Sequence, residues 1–477
     1  MAALPYKLTL VPDCDQVVET ARHAIPGYCC RSGKLCRYDN AKAEFSVSLK
    51  FIHAADLHLD SPLRGLAAYE DAPLERIRGA TRLAFSQLVT VAIERGVDLL
   101  LLAGDIWDGD WPHIGTGLYF ASEMGRLQRE NIRVFMIRGN HDAESRISKT
   151  LTLPDNVTIL NAQSAQSVCV EDLNVVIHGQ SFSRPDVTEN IALHYPDAVP
   201  GFYNIGLLHT ALEGDAQHAS YAPCRLSELQ SKAYDYWALG HVHRECILAD
   251  GNHTAGGTIV YPGVLQGRHV RETGAKGAYL VESSGTQTHI ERLIVDVVRW
   301  HDLEVDVNEA LDWPDVARAM GASIRAIVTR AHDASYEGLL AVRLTVTGTT
   351  TLHGQLSSNT QQLRIEALGQ IAAIGAQDIF LEKVKVRTTS GLVMADLEQR
   401  HDAIASVQRI LAQAAQDTEF MQELANETSY LWNSLPEEVR TALKLSEPER
   451  MQAIESGDLR PLLPDLSTTL LAQLTQQ

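Results

Sequence analysis

The sequence feature that most constrains the fold is a run of four leucines that stops at a glycine and an aspartate. Residues 97–110 read VDLLLLAGDIWDGD, and the leucines from Leu99 to Leu102 are typical of a strand buried on both faces. Gly104 lets the backbone turn, and Asp105 follows at the carboxyl end of the strand. Ligands bind at that edge of open α/β sheets, and a buried carboxylate there needs a metal ion or another partner. The stretch therefore predicts a site built on strand ends.

Four other apolar runs of the chain end in the same kind of residue. One run, FIHAAD, leads into DLH, and a second leads into GNHD. Two later runs end in LLHT and in GHVH. Alternate residues of an extended chain point the same way, so the paired residues of DLH and GHVH can converge on one ion. The predicted ligands are Asp56, His58, Asp105, Asn140, His209, His241 and His243.

The types of these seven residues indicate a pair of metal ions. Oxygen and imidazole donors without thiolates suit Mn²⁺, Fe or Zn²⁺ in a reactive site better than a structural zinc cage. Seven ligands are too many for one ion, but they suffice for two ions that share a carboxylate. Such a pair activates water and binds both oxygens of an in-line phosphoryl displacement. Each residue taken alone is explained equally well as a polar group satisfied at a strand end.

Strands that alternate with helical patterns over residues 74–95 and 116–130 predict βαβ units and an α/β fold. We place a main domain at residues 49–297, a compact α/β module at 298–390 and a helical tail at 391–477. Residues 1–48 lack a sustained period and are expected to be a disordered or mis-started leader. The first strand begins at Leu49, Lys50 and Phe51, and we expect Leu49 to be a non-AUG start codon and the leader to be dispensable.

Charge and hydropathy exclude several classes of protein. The formal net charge of -19 argues against a general nucleic-acid coat protein, although metal ligands are themselves carboxylates and a nuclease is still compatible. The tail alone carries 14 acidic and 6 basic residues, so it is not the DNA-binding part. No apolar run is long enough for a membrane span, and the N-terminus lacks a signal-peptide core. We expect a cytoplasmic protein without membrane contact.

The ordered blocks DLH, GDIWDGD, GNHD, LLHT and GHVH resemble the calcineurin-like metallophosphoesterases over about residues 50–295. The longer stretches HAADLHLDSPL and YPGVLQGRHVRETGAKG are more specifically similar to the SbcD-type DNA repair exonucleases of the YhaO-like subgroup. This resemblance implies two facing mixed β-sheets flanked by helices, a four-layer metallophosphoesterase sandwich with its site at the strand ends. The module after it would be a small α/β cap domain, followed by the helical C-terminal tail.

The resemblance also implies roles for individual residues. It assigns two divalent ions, with Mn²⁺ expected: one held by Asp56, His58, Asp105 and His243, the other by Asn140, His209, His241 and the shared Asp105. His141 would be the catalytic histidine that faces the scissile phosphate, and we expect Asp142 to be the partner that orients it. One departure stands out. The archetypal double-strand-break nucleases carry a second histidine three residues after the bridging aspartate, where this chain has Asp108.

Two basic features are candidates for phosphate contacts. Arg268, His269 and Arg271 lie in a glycine-containing loop after the last ligands, close to the site in chain order. Lys383, Lys385 and Arg387 are spaced by two and lie on one face of a later strand, for which an ordinary solvated surface is the better interpretation.

The sequence leaves three functions open. The first is a two-metal phosphodiesterase, a DNA exonuclease that acts on DNA ends in repair, with an SMC-like coiled-coil ATPase as the partner that the resemblance implies. The second is a phosphodiesterase for small molecules or cyclic nucleotides. The third is a phosphoesterase scaffold without catalysis, against which the full ligand set argues. Homodimerisation is left open, and DNA is the expected partner of the first function.

Overall fold

The computed structural model describes most of the chain. The described residues are 28–31, 34–37, 49–61, 73–108, 114–144, 152–212, 221–252, 256–284, 287–375, 378–390, 403–436, 439–440, 443–444 and 448–463. Clustering of contacts divides the chain into two units, Met1–Trp300 and His301–Gln477. Among the described residues, no helix has both the length and the apolar composition needed to cross a bilayer.

The strands and helices are numbered in chain order. The strands are β1 (Tyr28–Arg31), β2 (Lys34–Arg37), β3 (Leu49–Ala54), β4 (Leu99–Ala103), β5 (Arg133–Ile137), β6 (Val157–Ile159), β7 (Gln166–Val170), β8 (Val175–Gly179), β9 (Tyr203–His209), β10 (Tyr236–Gly240), β11 (Cys246–Ala249), β12 (Thr258–Tyr261), β13 (Gly277–Ser284), β14 (Gln287–Ile294), β15 (Val298–Asp306), β16 (Leu339–Thr350) and β17 (Ile379–Ser390). The helices are α1 (Leu74–Arg78), α2 (Ala80–Arg95), α3 (Ile114–Arg129), α4 (Asn140–Glu144), α5 (Leu226–Ser231), α6 (Trp313–Asp333), α7 (His353–Ser358), α8 (Thr360–Ile374), α9 (Ala403–Gln416), α10 (Thr418–Ser434) and α11 (Pro448–Ser456).

The first unit contains two six-stranded mixed sheets. One has the order β14-β13-β3-β4-β5-β6, in which β3 to β6 are parallel and β13 and β14 are antiparallel. The other has the order β11-β12-β10-β9-β8-β7, with β12, β10, β9 and β8 parallel. The second sheet therefore has a parallel centre and two antiparallel edges, whereas the first sheet is antiparallel only on the side of β13 and β14. The predicted pair of mixed sheets is confirmed.

One hydrophobic cluster shows that the two sheets face each other. It joins Phe51 and Leu101 of the first sheet to Ile205, Leu207 and Ala238 of the second. A second cluster covers the opposite face of the first sheet with the side chains of α2 and α3. Because both faces of the central strands are covered, the leucine run of β4 is buried throughout, as parallel strands in layered folds are.

The helix predicted over residues 74–95 is interrupted. The chain forms α1 and α2, separated at Gly79. Sequence periodicity places Leu83 on the buried stripe, but this is wrong, because the Leu83 side chain is 55% exposed. The buried face continues across Gly79 through Ile77, Leu88 and Ala92. At about 100° per residue, Leu83 lies about 140° from Leu88 and is on the opposite face.

The second unit begins with a three-stranded sheet in the order β15-β16-β17. The helices α6 and α8 contribute Ile324 and Leu363 to a hydrophobic core with Val342 and Leu344 of β16. Helix α6 is capped by Asp312, whose side chain accepts a hydrogen bond from the backbone N–H of Asp315. The split between the units falls within β15, a few residues after the predicted boundary at 297/298.

The tail and the leader are described in part. Helices α10 and α11 share a small apolar cluster that includes Met421, Leu424 and Leu459. In the predicted leader, β1 and β2 pair as an antiparallel hairpin, with Cys29 opposite Cys36. The remainder of residues 1–48 lies outside the described residues, and so the expectation of a dispensable leader stays a prediction.

Candidate metal centre

The predicted ligands lie at the ends of the central strands of both sheets or within a few residues after them. Four of them, Asp56, His58, Asp105 and His241, have positive φ angles of 51°, 42°, 51° and 99°. Two backbone hydrogen bonds of 3.0 Å hold the turns after β3 and β4 together, from Asp56 N to Gly104 O and from His58 N to Asp105 O. Asp, Asn and His tolerate the left-handed region better than other side chains do. The backbone, rather than the side-chain rotamer, therefore aims these ligands.

Two glycines make room for the ligands. A Cβ atom at Gly139 would lie 2.2 Å from Asp105 Oδ1 and 2.8 Å from the Asp105 backbone N. At Gly240, just before His241, a Cβ atom would lie 2.0 Å from the Ala103 carbonyl oxygen. Side-chain atoms at these positions would separate the strand ends that the site brings together.

The first donor cluster contains Asp56, His58 and His243, whose ligand atoms lie within 4.8 Å of one another. His58 Nε2 and His243 Nε2 are 3.3 Å apart, so both imidazoles point to one position. Burial lowers the pKa of His58 to about 3 and raises that of Asp56 to about 6. His58 is consequently the neutral imidazole that a metal ion requires.

The second donor cluster contains Asp105, His209 and His241. His209 Nε2 is 3.4 Å from Asp105 Oδ2 and 3.1 Å from Asn140 Oδ1, which brings the amide into the same group. Its Nδ1 is 2.9 Å from the Ala103 carbonyl, a backbone acceptor that fixes the ring. Burial lowers the pKa of His209, but the Asp105 carboxylate outweighs burial and raises it to about 9. A metal ion that binds this cluster therefore competes with the proton on His209.

Asp105 lies between the two clusters. Its Oδ2 atom is 3.4 Å from His209 Nε2 and 3.9 Å from His58 Nε2. The carboxylate is buried, and the positive charge that His209 contributes keeps its pKa below the ordinary range in spite of that burial. A permanently ionised carboxylate between two groups of converging donors fits a pair of cations that share one ligand.

His141 borders both clusters and forms a third group of converging donors with His58 and Asp105, but its side chain is more exposed than that of the half-buried ligand His243. The His141 side chain is 40% exposed, and its Nδ1 is 3.0 Å from Asp108 Oδ1. Asp108 also accepts a 2.5 Å hydrogen bond from Ser61 Oγ. The hydrogen bond to Asp108 raises the pKa of His141, which favours the imidazolium. The departure at Asp108 thus places a carboxylate beneath the predicted catalytic histidine.

The predicted role of Asp142 is wrong. Its carboxylate does not orient the His141 ring. It accepts hydrogen bonds of 2.9 Å from the backbone N–H groups of Trp107 and Gly139. Because Asp142 lies in the first turn of the short helix α4, its side chain reaches back to the backbone N–H of Gly139, just before the helix. Burial raises its pKa to about 7. Asp142 braces the turns after β4 and β5, and the residue that contacts the His141 imidazole is Asp108.

Comparison with known families agrees with this geometry. Residues 49–245 match the family model described as calcineurin-like phosphoesterase. The chain contains a calcineurin-like phosphoesterase domain. Residues 300–389 match the model described as the middle domain of metallophosphoesterase YhaO. The predicted membership of the calcineurin-like metallophosphoesterases is thereby confirmed. Such a domain implies two divalent cations, and the two donor clusters fit that number.

The chain is 35% identical over 267 residues to the uncharacterized metallophosphoesterase YhaO of Bacillus subtilis, covering 55% of this chain and 64% of that protein. It is 24% identical over 285 residues to the DNA double-strand break repair protein Mre11 of Sulfurisphaera tokodaii, covering 54% and 66%. It is 26% identical over 247 residues to Mre11 of Saccharolobus solfataricus, covering 50% and 61%. Each match spans less than two thirds of the relative. A dimetal phosphatase from Danio rerio has a TM-score of 0.33 and 14% identity, covering 51% of this chain and 98% of that one.

The basic loop of the calcineurin-like domain brings one of three predicted phosphate contacts to the site. Arg268 Nη1 lies 3.9 Å from Asp108 Oδ2, whereas His269 and Arg271 are exposed on the same loop. Arg268 Nη2 donates a 2.8 Å hydrogen bond to Glu272, a residue that sequence reasoning missed. Glu272 follows no strand end, and its only signal is its place four residues after Arg268 in a loop where the chain otherwise carries basic side chains.

Proposed function

We propose that this protein is a two-metal phosphodiesterase that acts on DNA ends. The observation that carries the proposal is the pair of donor clusters with the Asp105 carboxylate between them, and the exposed His141 imidazole beside them. Two divalent cations, when bound, lower the pKa of an attacking water and offset the charge that develops on the phosphoryl group. Mn²⁺ is the expected ion, since the donors mix carboxylate, amide and imidazole.

His141 is the group that we assign to proton transfer. Its Nδ1 is 3.0 Å from Asp108, so in the imidazolium the proton on Nε2 is the one that can pass to the leaving oxygen. The hydrogen bond to Asp108 raises the pKa of His141, which favours that protonated form. The His141 side chain is accessible to a substrate, whereas six of the seven predicted ligands are buried.

Arg268 supplies positive charge on the substrate side of the site. Its Nη2 is bonded to Glu272, and Nη1 faces Asp108, next to His141. A guanidinium held in that way can bind a non-bridging phosphate oxygen through its remaining N–H groups. We therefore keep Arg268 as the phosphate contact. The exposed His269 and Arg271 would bind more distant phosphates of a polymer.

The choice of DNA as substrate is supported by the distant likeness to the two Mre11 repair proteins. An SMC-like coiled-coil ATPase, with the acidic helical tail as its docking segment, and a homodimer are further proposals of the same kind.

The formal charge of -19 favours a second candidate, a phosphodiesterase for small molecules or cyclic nucleotides, because a long polyanion is repelled by most of the surface.

A nuclease assay separates the two candidates. End-labelled single- and double-stranded DNA and bis(p-nitrophenyl) phosphate are incubated with the protein and Mn²⁺, Mg²⁺ or chelator, with and without a candidate ATPase. The DNA proposal expects metal-dependent shortening of the labelled strand, which chelator abolishes and which Asp105→Ala lacks. Cleavage of the small ester without any cleavage of DNA would support the second candidate. Cleavage of neither substrate by metal-loaded protein would contradict both.

A further inference from the structure

His243 is held differently from the other imidazole of its donor cluster. His58 is buried among apolar and ligand groups, whereas the His243 side chain is 28% exposed. Its Nδ1 lies 2.8 Å from Glu272 Oε1. Because Nδ1 is engaged there, the opposite ring nitrogen, Nε2, is the one directed at His58 Nε2. The exposed ligand of the cluster thus has a carboxylate as the partner that fixes its ring.

Glu272 makes a second set of contacts on the same carboxylate. Its Oε2 atom accepts a 2.8 Å hydrogen bond from the Arg268 backbone N–H, and its Oε1 atom accepts one of 2.8 Å from Arg268 Nη2. The side chain of Glu272 is only 5% exposed, so its charge is balanced by Arg268 instead of by water. Arg268 Nη2 is also 3.3 Å from His243 Nδ1, and the three groups close a triangle.

We infer that Glu272 is a positioning residue with two functions: it orients His243 toward the first donor cluster, and it holds the Arg268 guanidinium beside Asp108 and His141. The first function concerns metal binding alone. The second rests on the proposed function, because it gives Arg268 a phosphate to bind. The two functions are separable in an experiment, since only the second requires a substrate.

The physical basis of the first function is ring orientation. A carboxylate that accepts the N–H of a ligating imidazole fixes its tautomer and raises its basicity, and loss of such a partner costs about 10-fold to 100-fold in metal affinity. Without Glu272, the partly exposed His243 ring is free to rotate, and Arg268 loses the anion that offsets its charge next to a cation. The second donor cluster has its own partner, the Ala103 carbonyl on His209, and does not depend on Glu272.

The test is titration of the metal-free full chain with Mn²⁺ by calorimetry, with the rate on bis(p-nitrophenyl) phosphate measured in parallel. Glu272→Ala is expected to weaken one of two Mn²⁺ sites by about 10-fold to 100-fold and to leave the other within about twofold. Glu272→Gln keeps an oxygen that can accept from His243, so we expect a smaller loss. The Gln variant also keeps the proposal testable if the Ala variant does not fold.

Two further variants separate positioning from general damage. Arg268→Gln should bind Mn²⁺ as the wild type does but show a raised KM, which isolates the second function. Asp296→Asn is the matched control, because Asp296 is a buried carboxylate that accepts hydrogen bonds from Arg299 in the same unit, away from the ligands. It should change neither Mn²⁺ affinity nor KM. Unchanged Mn²⁺ affinity in Glu272→Ala, or equal weakening of both sites together with a lowered Tm, would overturn the inference, whatever the protein does to DNA.

Discussion

At the scale of single residues, Asp105 and His141 should fail in different ways when they are replaced. Asp105→Ala removes the carboxylate that lies between the two donor clusters, which leaves two cations to repel each other across a poorer ligand set. Metal content and turnover should both fall. His141→Gln removes an exposed imidazole that borders the clusters, so both ions should stay while turnover falls about 100-fold to 10,000-fold.

Elemental analysis of each variant beside its phosphodiesterase rate measures this difference. Full activity of Asp105→Ala would rule out a mechanism with two ions that share this carboxylate. Loss of metal from His141→Gln would mean that His141 is a ligand and that the proton donor must be sought elsewhere.

Gly139 offers a second prediction at this scale. A Cβ atom there would overlap Asp105 Oδ1 and crowd the Asp105 backbone, neither of which can withdraw without breaking the turn after β4. Gly139→Ala should lower the free energy of unfolding by about 1–3 kcal/mol and reduce metal content. Gly125→Ala is the control. Gly125 lies within α3 with no atom within 4 Å of its added Cβ, and the change should stabilise the protein by about 0.5–1 kcal/mol. Equal thermal stability of the two variants would contradict the clash.

Residue types at strand ends were enough to predict which side chains assemble, because parallel strands deliver their carboxyl ends to one edge. The same reasoning failed for Asp142, whose direction depends on how α4 starts and not on its distance from a strand. It also could not find Glu272, because a loop has no period from which the direction of a side chain follows. Contacts between loops could not be predicted from the sequence for the same reason.

At the scale of secondary structure, His178 makes β8 sensitive to acid. Its Nδ1 is 2.8 Å from Ser167 Oγ on β7, and its Nε2 is 3.1 Å from Asn204 Oδ1 on β9. Burial lowers the pKa of His178 to about 4. The folded and unfolded states bind the same number of protons above about pH 6.5, but between pH 6.5 and 4 only the unfolded chain binds one. The free energy of unfolding should therefore fall as the pH falls through that window, by about 3 kcal/mol from this group.

Urea unfolding of the wild type and of His178→Gln at pH 7.5 and pH 4.5 tests the sign. The Gln side chain does not titrate, so the advantage of the wild type over the variant should shrink by about 3 kcal/mol at the lower pH. A constant difference between the two proteins would show that His178 is protonated in the folded state or is paired in the unfolded one.

The strands were predictable at this scale because burial on both faces gives continuous apolar runs such as that of β4. The helices were predicted less well. The break at Gly79 depends on how the chain enters α2, which the apolar period does not encode. Leu83 is exposed because it is out of phase with the buried Leu88 and Ala92, independently of this break.

At the scale of the whole chain, the predicted ligands and His141 all fall between residues 56 and 243, within the first unit. Deletion of residues 395–477 should therefore leave Mn²⁺ content and hydrolysis of bis(p-nitrophenyl) phosphate unchanged. The measurement is metal stoichiometry and rate for the shortened and the full chain. Loss of metal on deletion would show that the domain boundary is wrong, whereas loss of response to a candidate ATPase alone would support a docking role for the tail.

The left-handed turns that carry Asp56, His58, Asp105 and His241 influence which substitutions such a protein accumulates during evolution. A non-glycine residue held there costs about 1 kcal/mol or more, and each ligand also crowds buried charge when no cation is present. A gene copy released from selection for catalysis would thus gain stability with each ligand that it exchanged for glycine. In a pseudoenzyme with this fold, the metal ligands would be the first residues to be replaced, and the sheets around them would be retained for longer.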